Sequence, residues 1–205
     1  MARLSPDSPH FENGSIVSDS RFGSWCAIGA GSVITDSSLG DYSYCGRLCD
    51  IANAAIGKFA SIASMVRIGP TDHPFGHAAQ HHFHYRSSDY WDDAGDDAAF
   101  FDKRRSRRVE TGHDIWIGHG AIIKPELRLG HGVIVAAGAV VTRSVDPFMI
   151  VAGVPAVPIR ARFPPKISER LMALAWWDWD HARLREALKD FRSLDAEAFL
   201  EKHHG

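Results

Sequence analysis

At 205 residues, 45% of them hydrophobic and with a formal charge of −2 at neutral pH, the chain has the length of one main domain with room for a small appendage. The charge balance excludes the general basicity of a nucleic-acid-binding protein, and no apolar run approaches the ~18 residues of a membrane span. The opening MARLSPDSPHF has no apolar signal-peptide core, so a cytoplasmic location is expected. Cys26, Cys45 and Cys49 are odd in number and predict buried, reduced thiols rather than a disulfide framework.

A loose six-residue repeat begins near Ile16. Its first positions fall at Ile16, Phe22, Ile28, Ile34, Leu39, Cys45, Ile51, Ile56, Ile62 and Ile68, with one residue missing at 34→39 and at 51→56. Fifth positions, such as Cys26, Ser32, Ser38, Cys49 and Ala55, are nearly all small, and the second position is often glycine, as at Gly23, Gly29, Gly40, Gly46, Gly57 and Gly69. Neither the helical period of 3.6 nor the strand period of 2 produces such spacing. Short strands joined by tight turns, three to a coil, do produce it, and that is a parallel β-helix. Bulky aliphatics are expected along the axis and small residues where the flat faces meet. The glycines are expected to supply the backbone angles of sharp corners. Ordinary antiparallel strands would need hairpin dipeptides that the sequence lacks.

From Pro70 to Arg108 the repeat stops. This excursion holds five of the twelve histidines, the acidic run Asp89, Asp92, Asp93, Asp96 and Asp97, and the basic run Lys103, Arg104, Arg105, Arg107 and Arg108. A long non-repeating segment inside a solenoid is usually functional or disordered. Its aromatics, among them Phe75, Tyr85, Trp91 and Phe100, argue for a loop that packs on something. The two charged runs are expected to pair with each other.

The repeat then returns in strict form over Thr111–Asp146, as TGHDIW-IGHGAI-IKPELR-LGHGVI-VAAGAV-VTRSVD. With the first run this makes roughly five coils, stacked ~4.8 Å apart. Pro147, Pro155 and Pro158 exclude a helix just beyond. From Pro165 the pattern becomes helical, with a tryptophan cluster at Trp176, Trp177 and Trp179, and with Asp195 as N-cap of a last helix over 196–202. The expected division is a β-helix over 1–163, carrying the excursion 70–108, and a helical appendage over 164–205.

The repeat resembles the hexapeptide-repeat acyltransferase family, whose coils form a left-handed parallel β-helix of the all-β class. That hand is what the resemblance implies, since the general crossover rule favours the right. The family includes acetyl-CoA-dependent acetyltransferases of sugars, serine and antibiotics. In several of them a histidine in an Asn/Asp-His-Pro context at the start of the loop is the catalytic base. Here the segment is Thr71-Asp72-His73-Pro74, which assigns His73. A histidine with a pKa near 6.5 suits proton removal from an attacking hydroxyl or amine, a role worth ~10²–10⁴-fold in rate.

The segment from Gly112 to Phe163, with the tryptophan cluster after it, looks like the xenobiotic (chloramphenicol and streptogramin) branch. The segment HHFHYRSSDYWDDAGDDAAFFDKRRS looks like a sub-branch associated with phosphonate metabolism. The resemblance implies a homotrimer acting on a small-molecule acceptor, with acetyl-CoA as acyl donor between adjacent β-helices. It also implies that Trp116 and Gly118 border the pantetheine arm, that Ala137, Thr142 and Arg143 contact the cofactor, and that Arg160 meets a phosphate. Two departures stand out. Val157 occupies a position that is often basic, and Pro125-Glu126 replaces the usual Pro-Gly of a corner.

Two other readings compete. The same fold hosts zinc-dependent γ-class carbonic anhydrases, and His113, His119 and His131 occupy third positions of hexads. The residue five after His119 is Lys124 where that family has histidine, so no metal site is expected, and the ladder histidines are expected to face solvent or the cofactor cleft. A non-catalytic trimeric scaffold is the third reading, and the chemistry packed into the excursion argues against it.

Overall fold

The computed structural model of the protein describes residues 3–203. The outermost residues of the expected divisions, Met1, Ala2, His204 and Gly205, lie outside the described residues. Three sheets of eight, six and five strands wrap into a left-handed parallel β-helix. The first face carries Tyr44–Cys45, Ser61–Ile62, Trp116–Ile117 and Ile134–Val135. The second carries Asp50–Ala52, Arg67–Ile68, Ile122–Ile123 and Val140–Val141, and the third Ser38–Leu39, Ala54–Ile56, Val109–Thr111 and Arg128–Leu129. Each strand bonds in parallel register to the one a coil away, so that Tyr44, Ser61, Trp116 and Ile134 form one column.

Coil length changes along the molecule. Columns advance by 17 residues before the excursion, as from Ala27 to Tyr44 to Ser61, and by 18 after it, as from Trp116 to Ile134. The missing residue is removed at one corner, between the second and third faces, in each coil of the first run. This corrects the expected phase there. Val17, not Ile16, pairs with Ile34, and Ile16 is 61% exposed. Likewise the buried small residues are Ser37 and Ala54, not Ser38 and Ala55. The reason is the strand's alternation of faces: the residue two before each axial aliphatic points inward with it, and its neighbour points out.

The buried corner position is polar in several coils, and its hydrogen bonds are supplied by adjacent coils. Ser43 Oγ donates to the Gly57 carbonyl at 2.9 Å and accepts from the Ala60 amide at 3.1 Å. Cys26 and Cys49 fill the same slot, their thiols donating to the carbonyls of Gly40 and Ala63 at 3.2 and 3.1 Å. All three cysteines are buried and unpaired, as expected.

Of the second-position glycines only Gly69 takes the expected left-handed corner. Gly23, Gly29, Gly40, Gly46 and Gly57 keep ordinary backbone angles, and they are small because neighbouring coils close on them. A Cβ on Gly29 would overlap the backbone of Gly46. The left-handed corner residue lies two places later, and it is seldom glycine in the first run. Trp25, Tyr42 and Phe59 hold it at φ of 56°, 60° and 59°. Their rings stack along that corner with centroids 4.6 Å apart.

A helical appendage docks on this aromatic corner. An antiparallel hairpin, Met149–Gly153 with Ala156–Ala161, leads into it. The excursion supplies the first helix of the chain, α1 (Ala98–Ser106), and the appendage supplies α2 (Pro165–Leu174), α3 (His181–Glu186), α4 (Leu188–Ser193) and α5 (Ala196–His203). His181 stacks on Trp25 at 4.4 Å, Trp176 packs on Phe59 at 4.8 Å, and Trp177 lies flat on His131 at 4.9 Å. The helices therefore cover a side of the solenoid. Asp195 accepts from the Ala198 amide at 2.9 Å, as the expected N-cap of the last helix. Among the described residues no helix is long and apolar enough to cross a membrane.

Candidate active site

The second-to-third-face corner, short by one residue in the earlier coils, is where the excursion leaves. Gly69, at φ 66°, ends strand Arg67–Ile68, and the chain swings out through Thr71-Asp72-His73-Pro74. It is not a plain loop. It makes two short 3₁₀ turns, His82–His84 and Ser87–Asp89, and then α1. Asp97 accepts from the Phe100 amide at 3.0 Å and starts that helix, while Lys103, Arg104 and Arg105 sit in its last turn, where cations suit the helix dipole.

His73 is exposed, and its tautomer is fixed. Nδ1 lies 2.8 Å from the carbonyl oxygen of Gln80. A carbonyl only accepts, so Nδ1 carries the proton and Nε2 is left with the lone pair. The hydroxyl of Tyr85, 3.3 Å from Nδ1, shares that side of the ring. Tyr85 is 2% exposed and stacks on Phe100 of α1 at 4.2 Å. The Arg104 guanidinium lies over Phe100 at 4.4 Å. His73 meets Tyr85 edge-on at 6.3 Å, and tyrosine, phenylalanine and arginine continue from it as one packed cluster.

The preceding residue is held as firmly. Asp72 accepts from Arg107 Nη1 at 2.7 Å and from Lys124 Nζ at 3.4 Å, and its backbone carbonyl accepts from Arg104. The hydrogen bond from Arg107 holds the Asp72 carboxyl below the usual carboxylate range, with Lys124 adding to it against a smaller opposing effect of burial. Arg107 in turn donates from Nε to Glu126 at 3.0 Å. His73 borders a cavity of about 470 Å³, which is lined also by Phe75, His77, Asp97, Phe100, Lys103 and Arg104.

The other expected site residues lie elsewhere on the solenoid. Trp116, 54% exposed, stands on the first face. Gly118 and Ala137 stack on each other where the first face turns into the second. Thr142 and Arg143 are exposed beyond strand Val140–Val141, in the corner column of Gly69 and Lys124. Arg160, in the terminal hairpin, donates from Nη1 to the Ala161 carbonyl at 3.1 Å. A single chain therefore places His73, Lys124, Thr142 and Arg143 at one corner and Trp116, Gly118 and Ala137 toward another.

Two expectations about charged and titratable residues need correction. Of the ladder histidines, His119 is exposed, as expected, whereas His113 and His131 are half-buried under Trp177. Each of these two uses Nδ1 to accept a backbone amide, from Lys58 at 2.8 Å and from His113 at 3.0 Å. Burial under Trp177 lowers both pKa values, and for His113 the neighbouring His131 lowers it further. The acidic and basic runs of the excursion do not pair. Asp96 binds Ser88 and Asp97 caps α1, and among the described residues no ion pair joins the acidic run to the basic one. Nor is any group of three or more His, Cys, Asp or Glu placed to hold a metal ion among them. Gln80, Tyr85, Arg107, Lys124 and Glu126 were invisible as site residues in the sequence. Only the Pro125-Glu126 departure marked one of them.

No family model matches the chain. Chloramphenicol acetyltransferase from Escherichia coli is 33% identical over 136 residues, which are 65% of this chain and 63% of that protein. The chain thus matches just under two thirds of the length of such relatives. Virginiamycin A acetyltransferase from Staphylococcus aureus is 41% identical over 69 residues, 34% of this chain and 32% of that protein. Among solved structures, a point mutant of AntD, an N-acyltransferase from Bacillus cereus in complex with dTDP-4-amino-4,6-dideoxyglucose and coenzyme A, aligns with a TM-score of 0.56. It is 19% identical and covers 82% of this chain and 90% of that one, a likeness of fold. In sequence the chain is similar to antibiotic acetyltransferases, and in fold to an acyltransferase.

Proposed function

We propose that this chain is an acyltransferase that moves an acetyl group from acetyl-CoA to a hydroxyl or amine of a small molecule, with His73 as general base. The observation that carries the reading is the fixed tautomer of His73 at the mouth of a cavity, at the break between two hexapeptide runs. Nε2 removes the proton from the acceptor as its oxygen or nitrogen attacks the thioester carbonyl. The tetrahedral intermediate then collapses, the C–S bond breaks, and the same proton passes to the departing coenzyme A thiolate. The products are the acetylated acceptor and free thiol. Protonation of Nε2 leaves the Nδ1–H···O=C bond to Gln80 intact, so the ring keeps its orientation through the cycle. No acetyl-enzyme is needed, since the three cysteine thiols are buried in the solenoid.

Similarity to the chloramphenicol and virginiamycin enzymes supports a xenobiotic acceptor. The free ammonium edge that Lys103 brings to the cavity beside Phe75 and Phe100 also suits an apolar acceptor with an anionic group, such as a phosphonate. Trp116, Gly118, Ala137, Thr142, Arg143 and Arg160 are proposed to line the coenzyme. Because Trp116, Gly118 and Ala137 stand toward a corner separate from that of His73, Thr142 and Arg143, we place the complete site between neighbouring copies of a homotrimer. The division into a β-helix, 1–163, and a helical appendage, 164–205, belongs to the same reading, as does a cytoplasmic location, which suits three unpaired thiols. The test is thiol release from acetyl-CoA across a panel of hydroxyl, amine and phosphonate acceptors. With a responsive acceptor, His73→Ala should lower kcat by ~10²-fold or more. Unchanged turnover would sink the assignment.

A further inference from the structure

Glu126 occupies a left-handed corner at φ 68°, a conformation that glycine adopts freely and that costs other residues free energy. In its own run the other left-handed fourth positions are Asp114 and the glycines Gly120, Gly132 and Gly138. Other residues also hold such corners, Asn53 and Asp114 among them, so what distinguishes Glu126 is the contact its side chain makes. Among the described residues that side chain makes one hydrogen bond: Oε2 accepts from Arg107 Nε at 3.0 Å.

Arg107 is the C-cap of α1, and its planar guanidinium faces two carboxylates. Nε is taken by Glu126, and Nη1 reaches Asp72 Oδ2 at 2.7 Å. Asp72 immediately precedes His73. The corner residue two coils earlier is Asn53, also left-handed at φ 50°, and it donates from Nδ2 to the Arg104 carbonyl at 2.9 Å. The excursion replaces the corner between these two coils. Asn53 on one side and Glu126 on the other therefore grip the same end of α1, and through Arg104 and Arg107 that grip passes to both the backbone and the side chain of Asp72.

We propose that Glu126 is a positioning residue for the base. By fixing the fork of Arg107 against Asp72, it holds the His73 backbone so that Nε2 faces the cavity. This rests on the reading of His73 as general base. The chemistry is specific to the geometry: a guanidinium bridges two carboxylates through separate edges, which a lysine at 107 would not do.

The test separates positioning from folding, because glycine suits this corner better than glutamate does. In E126G the melting temperature should stay level or rise, and the KM for acetyl-CoA should stay within about twofold, while kcat falls ~10- to 100-fold, the scale of a misplaced catalytic group. E126Q, which keeps an acceptor for Arg107 Nε, should recover most of kcat. The double variant H73A/E126G should be no slower than H73A alone. E126G with wild-type kcat overturns the proposal, as does a loss of kcat in step with a loss of thermal stability. If H73A itself turns over normally, the reading of the base fails, and this inference fails with it. H73A inactive beside a fully active E126G refutes the inference alone.

Discussion

His113 and His131 cannot accept a proton on Nδ1 without losing a bond to a backbone amide, and both lie under the indole of Trp177. Their folded-state pKa values are lowered, chiefly by burial. The sign of the linkage follows from that. Above the unfolded value near ~6.5 both states carry neutral rings and stability is fully present. As pH falls below it, the unfolded chain binds protons that the folded chain refuses, and stability drops until the lowered values are passed. The melting temperature should therefore fall between pH 7 and pH 5. The dependence should flatten in His113→Asn, whose Oδ1 stands near the place of Nδ1 and does not titrate. An equally steep profile in that variant would show that other groups dominate. Asp72 acts in a separate window. Its carboxyl is held low by Arg107, so its clamp persists above the ordinary carboxylate range near ~4 and is lost as pH falls through the lowered value.

The repeating unit sets its tolerances by stacking. Gly29 lies so close to Gly46 of the next coil that any side chain would meet backbone. Gly29→Ala should cost about 1–3 kcal/mol or more in chemical denaturation, the range of overpacked sites; a neutral result would mean that the coils part easily. The same close stacking explains what could be read from the sequence and what could not. The strict hexads of Thr111–Asp146 were legible because no residue is missing there, so the unbroken period of six picks the inward residue even in like pairs such as Ile122–Ile123 and Val140–Val141. The errors of phase fell at Ile16/Val17, Ser37/Ser38 and Ala54/Ala55, where a residue is missing and two adjacent residues share one character. A pattern of residue types has no information there, and only the register decides. Helix α1 was hidden for another reason. It buries no residue and so has no apolar stripe, and its only sequence mark is the Asp97 cap. His73 was found by its motif, but its supporting groups come from sequence positions 80, 85, 107, 124 and 126. Only folding brings these together.

For the whole molecule, the separation of His73 from Trp116 has a measurable consequence. If the proposed trimer completes each site across two copies, inactive His73→Ala and Trp116→Ala chains should rescue each other when unfolded and refolded together. About one site in four across the whole 1:1 refolded population would draw both intact residues from different copies. Activity no higher than that of the separate variants would place the site within one chain. The solenoid also treats its excursion as a replaceable corner. The Gly69 amide donates to the Ile123 carbonyl at 3.0 Å, and the Val109 amide donates to that of Asn53 at 3.0 Å, so the chain departs and returns with the ladder unbroken on both sides. One coil earlier the same gap is crossed by a five-residue step from Ile51 to Ile56. Closing a loop costs only ~0.6 kcal/mol more for each doubling of its length. Insertions and deletions in the excursion are thus nearly free for the scaffold, and under the proposed function the choice of acceptor would drift through changes of loop length while the proposed coenzyme wall stays as it is.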